Sequence, residues 1–252
     1  MRLRSDEFAD LPVPDDGGGT NLMRQHIFRP EREGRFPALV LYSEIYQVTA
    51  PIRRLAAILA GHGFIVGVPE VYHEYEPLGT VLAYDPPGTD RGNALKFTKP
   101  VAAFDRDARA SLDHLRAHPA STGRLGAMGV CLGGHLAYRA ALQPDVSAAA
   151  CFYATDLHTH SLGAGKNDDS LARAPDIHGE MLFVWGRQDP HVPPEGRALI
   201  RSRLEAAEVD FQWIEFNAAH AFMRDEGPRY DPELMSAGIG MAISLFRRAL
   251  AT

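Results

Sequence analysis

The sequence predicts an α/β fold with a mostly parallel central sheet and helices on both faces. Two patterns carry that reading. Short continuous apolar runs of strand length, the mark of strands buried on both sides, alternate with stretches whose apolar residues recur every three or four positions. At 252 residues with 45% hydrophobic content, the chain is long enough for one sizeable core and short for two. A single domain over residues 1–252 is therefore expected.

In chain order, residues 1–21 are polar and rich in Asp, Pro and Gly, which predicts an irregular lead-in. Met23 to Arg29 has short β character and reads as an edge strand. Phe36 to Tyr42, FPALVLY, is apolar almost throughout and belongs near the sheet centre. A helix from about Ala50 to Gly61 places Ile52, Leu55, Ile58 and Leu59 on one face, and the strand Phe64 to Val68 closes at Pro69. Glu70 to Lys99 is long and punctuated by Pro and Gly, so it reads as a loop region over the site. Pro100 to His118 is amphipathic, with Val101, Phe104, Ala108, Leu112 and Leu115 at helical spacing.

The strand Leu125 to Met128 then leads into a helix ending near Leu142. Ala148 to Tyr153 is another strand, and Asp156 to Ile177 a second irregular segment rich in His, Gly and Asp. Strand Glu180 to Trp185, helix Glu195 to Ala207, strand Phe211 to Phe216 and a closing helix Met235 to Leu250 complete the alternation.

Bulk composition narrows the function. The formal net charge is −6 and no run of Lys and Arg forms the basic stripe that nucleic acid needs. No apolar run approaches a membrane span, and the N-terminal stretch lacks the apolar centre of an export signal. Two cysteines, Cys131 and Cys151, make no disulfide framework, so a reducing cytoplasm is the expected compartment. A monomer or small homo-oligomer acting on a small molecule fits these limits.

The stretch Arg124 to Ala137, RLGAMGVCLGGHLA, is the most informative. A strand breaks at Gly129, Cys131 takes the apex of a tight turn, and the chain re-enters as a helix through Gly133, Gly134 and His135. Side chains two residues before or after the apex would meet the neighbouring strand and helix, so glycine suits both places. At the helix N-terminus the sulfur meets free N–H groups and the positive dipole end, which favour thiolate. A Gly-x-Cys-x-Gly string alone also occurs in ordinary turns, where cysteine is a small core residue. Cys151, inside a strand, reads as core.

Two further placements raise the pattern above that background. GRQDPHVP puts Asp189 just past the strand ending at Trp185, and FNAAHAF puts His220 just past the strand ending at Phe216. Both fall on the same sheet edge as Cys131. The order nucleophile, acid, histidine is that of the α/β hydrolases. By the same logic, the N–H groups of Leu132 and of Ile45, after an earlier strand, would form the oxyanion hole.

The segments SEIY, GVCLGGHLA, GRQDPHVP and FNAAHAFMR together resemble the dienelactone hydrolase family, in order and spacing over nearly the whole chain. The resemblance implies an α/β-hydrolase fold and a Cys131, Asp189, His220 triad, with Glu44 helping to deprotonate the resting thiol once substrate binds. It also implies two arginines holding a substrate carboxylate, Arg224 and Arg91. Leu95 stands where the family archetype has a tyrosine, and Ala221 where serine is common, which alters the pocket wall.

A thiolate leaves easily, so its adduct on an ordinary alkyl ester expels sulfur, and activated esters such as enol lactones suit it better. No metal or organic cofactor is required. Asp156, His158 and His160 could hold a metal, but a solvated loop is the plainer reading. Glu70, His73 and Glu74 could line the site mouth, His135 packs within the turn, and Tyr153, at a strand end, could touch substrate. Two alternatives stay open: a broad esterase or thioesterase on substrates without a carboxylate, and a catalytically silent ligand-binding relative.

Overall fold

The computed structural model describes residues 2–251. Eight strands form one sheet in the order β1-β2-β4-β3-β5-β6-β7-β8. These are β1 (Leu3–Pro14), β2 (Thr20–Pro30), β3 (Phe36–Tyr42), β4 (Ile65–Pro69), β5 (Ser121–Val130), β6 (Val146–Phe152), β7 (Glu180–Gly186) and β8 (Phe211–Phe216). The pairs β1·β2 and β2·β4 are antiparallel, and all the others are parallel. The helices are α1 (Ala50–Gly61), α2 (Pro86–Thr98), α3 (Val101–Ala117), α4 (Leu132–Ala141), α5 (Pro194–Ala206) and α6 (Pro232–Ala249).

Strand periodicity divides the interior between the two faces. In β3, Ala38, Val40 and Tyr42 join Phe104, Leu112, Leu136 and Leu204 of α3, α4 and α5. The alternate residues Leu39 and Leu41 join Ile52, Leu55, Ile239 and Phe246 of α1 and α6. Each such side chain contributes roughly 1.5–3 kcal/mol when fully buried, and β3 contributes to both faces at once. This is why it reads as a continuous apolar run.

Two sequence expectations are corrected. The expected irregular lead-in over residues 1–21 is a strand over Leu3–Pro14 instead, because β1 pairs along its length with β2, with one irregularity between Arg4 and Glu7; Met1 lies outside the described residues. Its core is small: Leu11 and Val13, separated by exposed Pro12, pack with Met23, while exposed Arg4, Asp6 and Asp10 earlier in the strand hide its signal. Consequently β2 is not an edge strand. The segment 70–99 is not a plain loop either, since it contains α2, opened by Asp85 accepting from the Gly88 N–H.

Buried charge anchors that segment. Lys99 Nζ, wholly buried, donates to Asp107 Oδ2 at 2.7 Å and Glu74 Oε2 at 2.6 Å. His73 Nε2 meets Asp107 at 2.9 Å, and Glu70 meets His26 at 2.8 Å. Glu70, His73 and Glu74 therefore tie the segment to α3 and β2 rather than line the site mouth. His73, Glu74 and Asp107 bring three candidate metal-ligand atoms together, but the Lys99 ammonium already supplies the positive charge there. No helix among the described residues is long and apolar enough to cross a membrane.

The chain leaves β3 to form β4 on one side and returns to form β5 on the other. That reversal opens a crevice beyond the strand C-termini, the usual ligand position in such sheets. Glu44 follows β3, and Cys131 follows β5.

Candidate active site

Cys131 caps α4 with backbone angles φ 59° and ψ −123°, a conformation few side chains adopt and one often held at functional turns. A Cβ on Gly129 would lie 1.9 Å from the Gly133 carbonyl oxygen, and one on Gly133 would lie 2.2 Å from the Tyr42 carbonyl oxygen. The steric reading of both glycines holds. The Cys131 N–H donates to the Phe152 carbonyl at 3.1 Å, locking the turn against β6. The side chain keeps partial exposure, whereas Cys151 is buried in β6.

His220 Nδ1 lies 2.6 Å from Asp189 Oδ2, and both residues are buried. Asp189 Oδ1 accepts the His191 backbone N–H at 2.8 Å, which fixes the carboxylate. With Nδ1 facing the acid, Nε2 is left to face the cavity that Cys131 also lines. Burial disfavours the imidazolium, but its interactions with Cys131 and Asp189 outweigh it, and the His220 pKa is pushed up to about 10.

Glu44 is buried, accepts from Tyr84 Oη at 3.2 Å and faces Arg224 Nη1 at 3.7 Å. Burial raises its pKa, against the opposing pull of Arg224 and His220. The Arg224 guanidinium lies over the Tyr84 ring at 4.4 Å. The Ile45 amide has no acceptor among the described residues, and Leu132 opens α4, where first-turn amides lack helical partners. Both suit an oxyanion.

Cys131, His220, Glu44, Ile45 and Arg224 line one cavity of about 300 Å³. Two expected substrate contacts do not. Arg91 is exposed and donates from Nε to Glu76 Oε1 at 2.6 Å. The reason is the helix: Gly88, Gly92, Leu95 and Lys96 occupy the buried face of α2, which turns Arg91 outward. Tyr153 is buried, with its ring 5.0 Å from that of His220, and supports the imidazole from behind instead of touching the cavity. Leu95 is core, whereas Ala221 does line the wall.

His135 meets the Thr155 carbonyl and Ser170 Oγ at 2.9 and 2.7 Å, packing the turn as expected. Lys96, Asp156, His191 and Arg229 also line the cavity, and none was singled out as a wall residue from sequence. Lys96 becomes readable once 86–98 is taken as a helix, because it follows buried Gly92 by one turn. Asp156, expected in a solvated loop, is instead ion-paired in the wall.

Residues 23–250 match the sequence model of the dienelactone hydrolase family. The chain belongs to that family. A Saccharomyces cerevisiae protein provisionally named carboxymethylenebutenolidase is 42% identical over 244 residues, covering 92% of this chain and 88% of that protein. The carboxymethylenebutenolidase of Pseudomonas sp. (strain P51) is 27% identical over 242 residues, covering 94% of each. Among solved structures, a dienelactone hydrolase, provisionally so named, from Klebsiella pneumoniae superposes with a TM-score of 0.79 at 22% identity, covering 98% of this chain and all of that one. The fold is thus the α/β-hydrolase fold, and membership places the chain among the carboxylic ester hydrolases.

Proposed function

We propose that this member of the dienelactone hydrolase family is a cysteine-dependent hydrolase of enol lactones or related activated carboxylic esters. The observation that carries the reading is the buried 2.6 Å contact between His220 Nδ1 and Asp189 Oδ2, facing the same cavity as Cys131 at its strained turn. The relatives named carboxymethylenebutenolidase support the substrate class.

In the proposed sequence, Cys131 Sγ attacks the acyl carbon as its proton passes to His220. The carbonyl electron pair moves to oxygen, held by the Ile45 and Leu132 amides. The adduct collapses with loss of the enolate or aryloxide, which takes a proton from His220, and leaves a thioester. Water, deprotonated by His220, then attacks the thioester, and Sγ leaves as the acid product forms. Asp189 orients the imidazole and stabilises its charged form. Glu44, in its pair with Arg224, is the carboxylate that a substrate anion frees to take the thiol proton first and relay it to His220, which holds it for the leaving group.

A second reading draws on one observation. Arg91 faces Glu76 rather than the cavity, and the second arginine that does line it, Arg229, is exposed, a looser anion grip that favours a broader esterase acting also on esters without a carboxylate. The test of the shared mechanism is Cys131→Ala. It is expected to abolish hydrolysis of enol lactones and aryl esters in a protein that melts like the wild type. Wild-type turnover in the variant would discard the covalent route.

A further inference from the structure

The catalytic cavity contains a buried ion pair that the proposed reaction does not use. Lys96 Nζ donates to Asp156 Oδ2 at 2.9 Å, with only 9% and 13% of the two side chains exposed. Thr155 Oγ1 donates to the same Oδ2 at 2.7 Å, and Ser161 Oγ donates to Oδ1 at 3.3 Å. Burial opposes ionisation of Asp156, yet Lys96 and Thr155 hold its carboxyl below the usual range. The 2.9 Å contact is that of an ammonium with a carboxylate.

A buried ion pair adds little net stability compared with apolar side chains of the same volume. Asp156 also holds φ 67°, a left-handed backbone that stores strain away from glycine. Both residues line the cavity. An ammonium has three donors, and Asp156 Oδ2 is the one hydrogen-bond acceptor of Nζ among the described residues. The Phe97 ring lies 4.3 Å from Nζ on another side, which leaves one N–H for a ligand.

The charge balance selects the ligand. Lys96 is neutralised by Asp156, so this part of the wall suits a neutral acceptor better than a second anion. In the same cavity, Arg224 is balanced by Glu44 at 3.7 Å. Arg229, exposed on the same loop, has no carboxylate within ion-pair distance among the described residues. Of the two arginines, Arg229 is thus the one without a carboxylate partner, which leaves it for one anion.

We propose that Lys96 and Asp156 form a second binding subsite, in which Lys96 donates to a neutral carbonyl oxygen of the substrate while its anionic group sits at Arg224 and Arg229. Resting on the hydrolase reading, this names the substrate class: a monoanion carrying a ketone or ester carbonyl beyond the scissile one. Asp156 acts by holding the ammonium in place.

The test is ligand-detected NMR titration of the full wild-type chain with paired acids, 4-oxopentanoate against pentanoate, 5-oxohexanoate against hexanoate, and 6-oxoheptanoate against heptanoate. At least one oxo acid is expected to bind about tenfold tighter than its parent, the scale of one hydrogen bond to a charged donor. In the double variant Lys96→Met, Asp156→Asn, which removes both charges together, the ratio is expected to fall to about one. Circular dichroism checks the fold, and Lys96→Arg is expected to restore part of the preference. No oxo preference at any length, a preference that survives in the double variant, or equal weakening of both acids would overturn the subsite. These ratios are read without turnover, so failure of Cys131→Ala to abolish hydrolysis would sink the covalent mechanism and leave the subsite to be decided on its own.

Discussion

Gly129→Ala tests the elbow without altering a reacting group. The added methyl would lie 1.9 Å from the Gly133 carbonyl oxygen, 2.2 Å from its carbon and 2.9 Å from the Gly134 nitrogen. All three are backbone atoms of the first turn of α4, so no side chain can rotate away. Reaching an ordinary contact of about 3.4 Å requires roughly 1.5 Å of movement at the closest atom. Strand β5 is hydrogen-bonded to β3 and β6, so the helix start must shift instead. Overpacking costs about 1–3 kcal/mol, and a backbone clash belongs at the upper end. At about 2–4 °C per kcal/mol, the melting temperature should fall by roughly 6–12 °C. The same shift carries Cys131 and the Leu132 amide, and a displacement of about 1 Å typically costs about 100-fold in rate. Thermal melts and p-nitrophenyl acetate hydrolysis read the two effects. Gly240→Ala is the control, since its Cβ meets nothing within 4 Å in α6 and alanine there should add about 0.5–1 kcal/mol. Wild-type melting and turnover in Gly129→Ala would refute the close approach.

The two arginines separate the substrate readings. Arg224→Ala should weaken kcat/KM for carboxylate-bearing esters by about tenfold more than for matched neutral aryl esters, the scale of one charge-assisted hydrogen bond, and an equal loss on both would reject the anion site. Arg91→Ala, at an exposed pair with Glu76, should leave both kcat/KM values within about twofold of wild type. A selective loss on carboxylate esters would return Arg91 to the site.

What the sequence showed and what it hid have the same physical origin. Parallel strands buried on both faces are apolar at every position, so β3 and β7 were read nearly to the residue. The elbow was legible because its sterics demand glycine at two named places. The parts that escaped are those whose burial is partial or polar. Strand β1 buries only Leu11 and Val13, set among prolines after a charged first half, and α2 has Pro, Gly, Thr and Asn where an amphipathic stripe would show. The misplacement of Arg91 follows from the second case. A residue in a presumed loop has no facing direction, and only the helical register assigns Lys96 inward and Arg91 outward. Tyr153 was placed at the correct strand end, but its backbone turns there with φ 36°, which sends the ring under His220.

Glu44 links the site to stability with a definite sign. Burial makes its ionised form less favourable in the fold than in the unfolded chain, and Arg224, His220 and Tyr84 offset this only in part. The folded pKa is therefore raised above the ordinary 4.5. As pH rises through 4.5, the unfolded chain releases its proton first, so the fold loses stability until its own carboxyl ionises and then keeps that deficit. Glu44→Gln keeps an acceptor for Tyr84 and removes the charge. Its melting temperature should match that of wild type below pH 4.5, exceed it increasingly as pH rises, and hold a constant excess of a few degrees once the folded carboxyl has ionised. Hydrolysis should fall in the same variant, because the carboxylate that burial disfavours is the one the proposed thiol activation uses. A variant less stable than wild type at neutral pH would mean that the Arg224 pair outweighs desolvation, and the assignment of Glu44 as a strained resting carboxylate would be wrong.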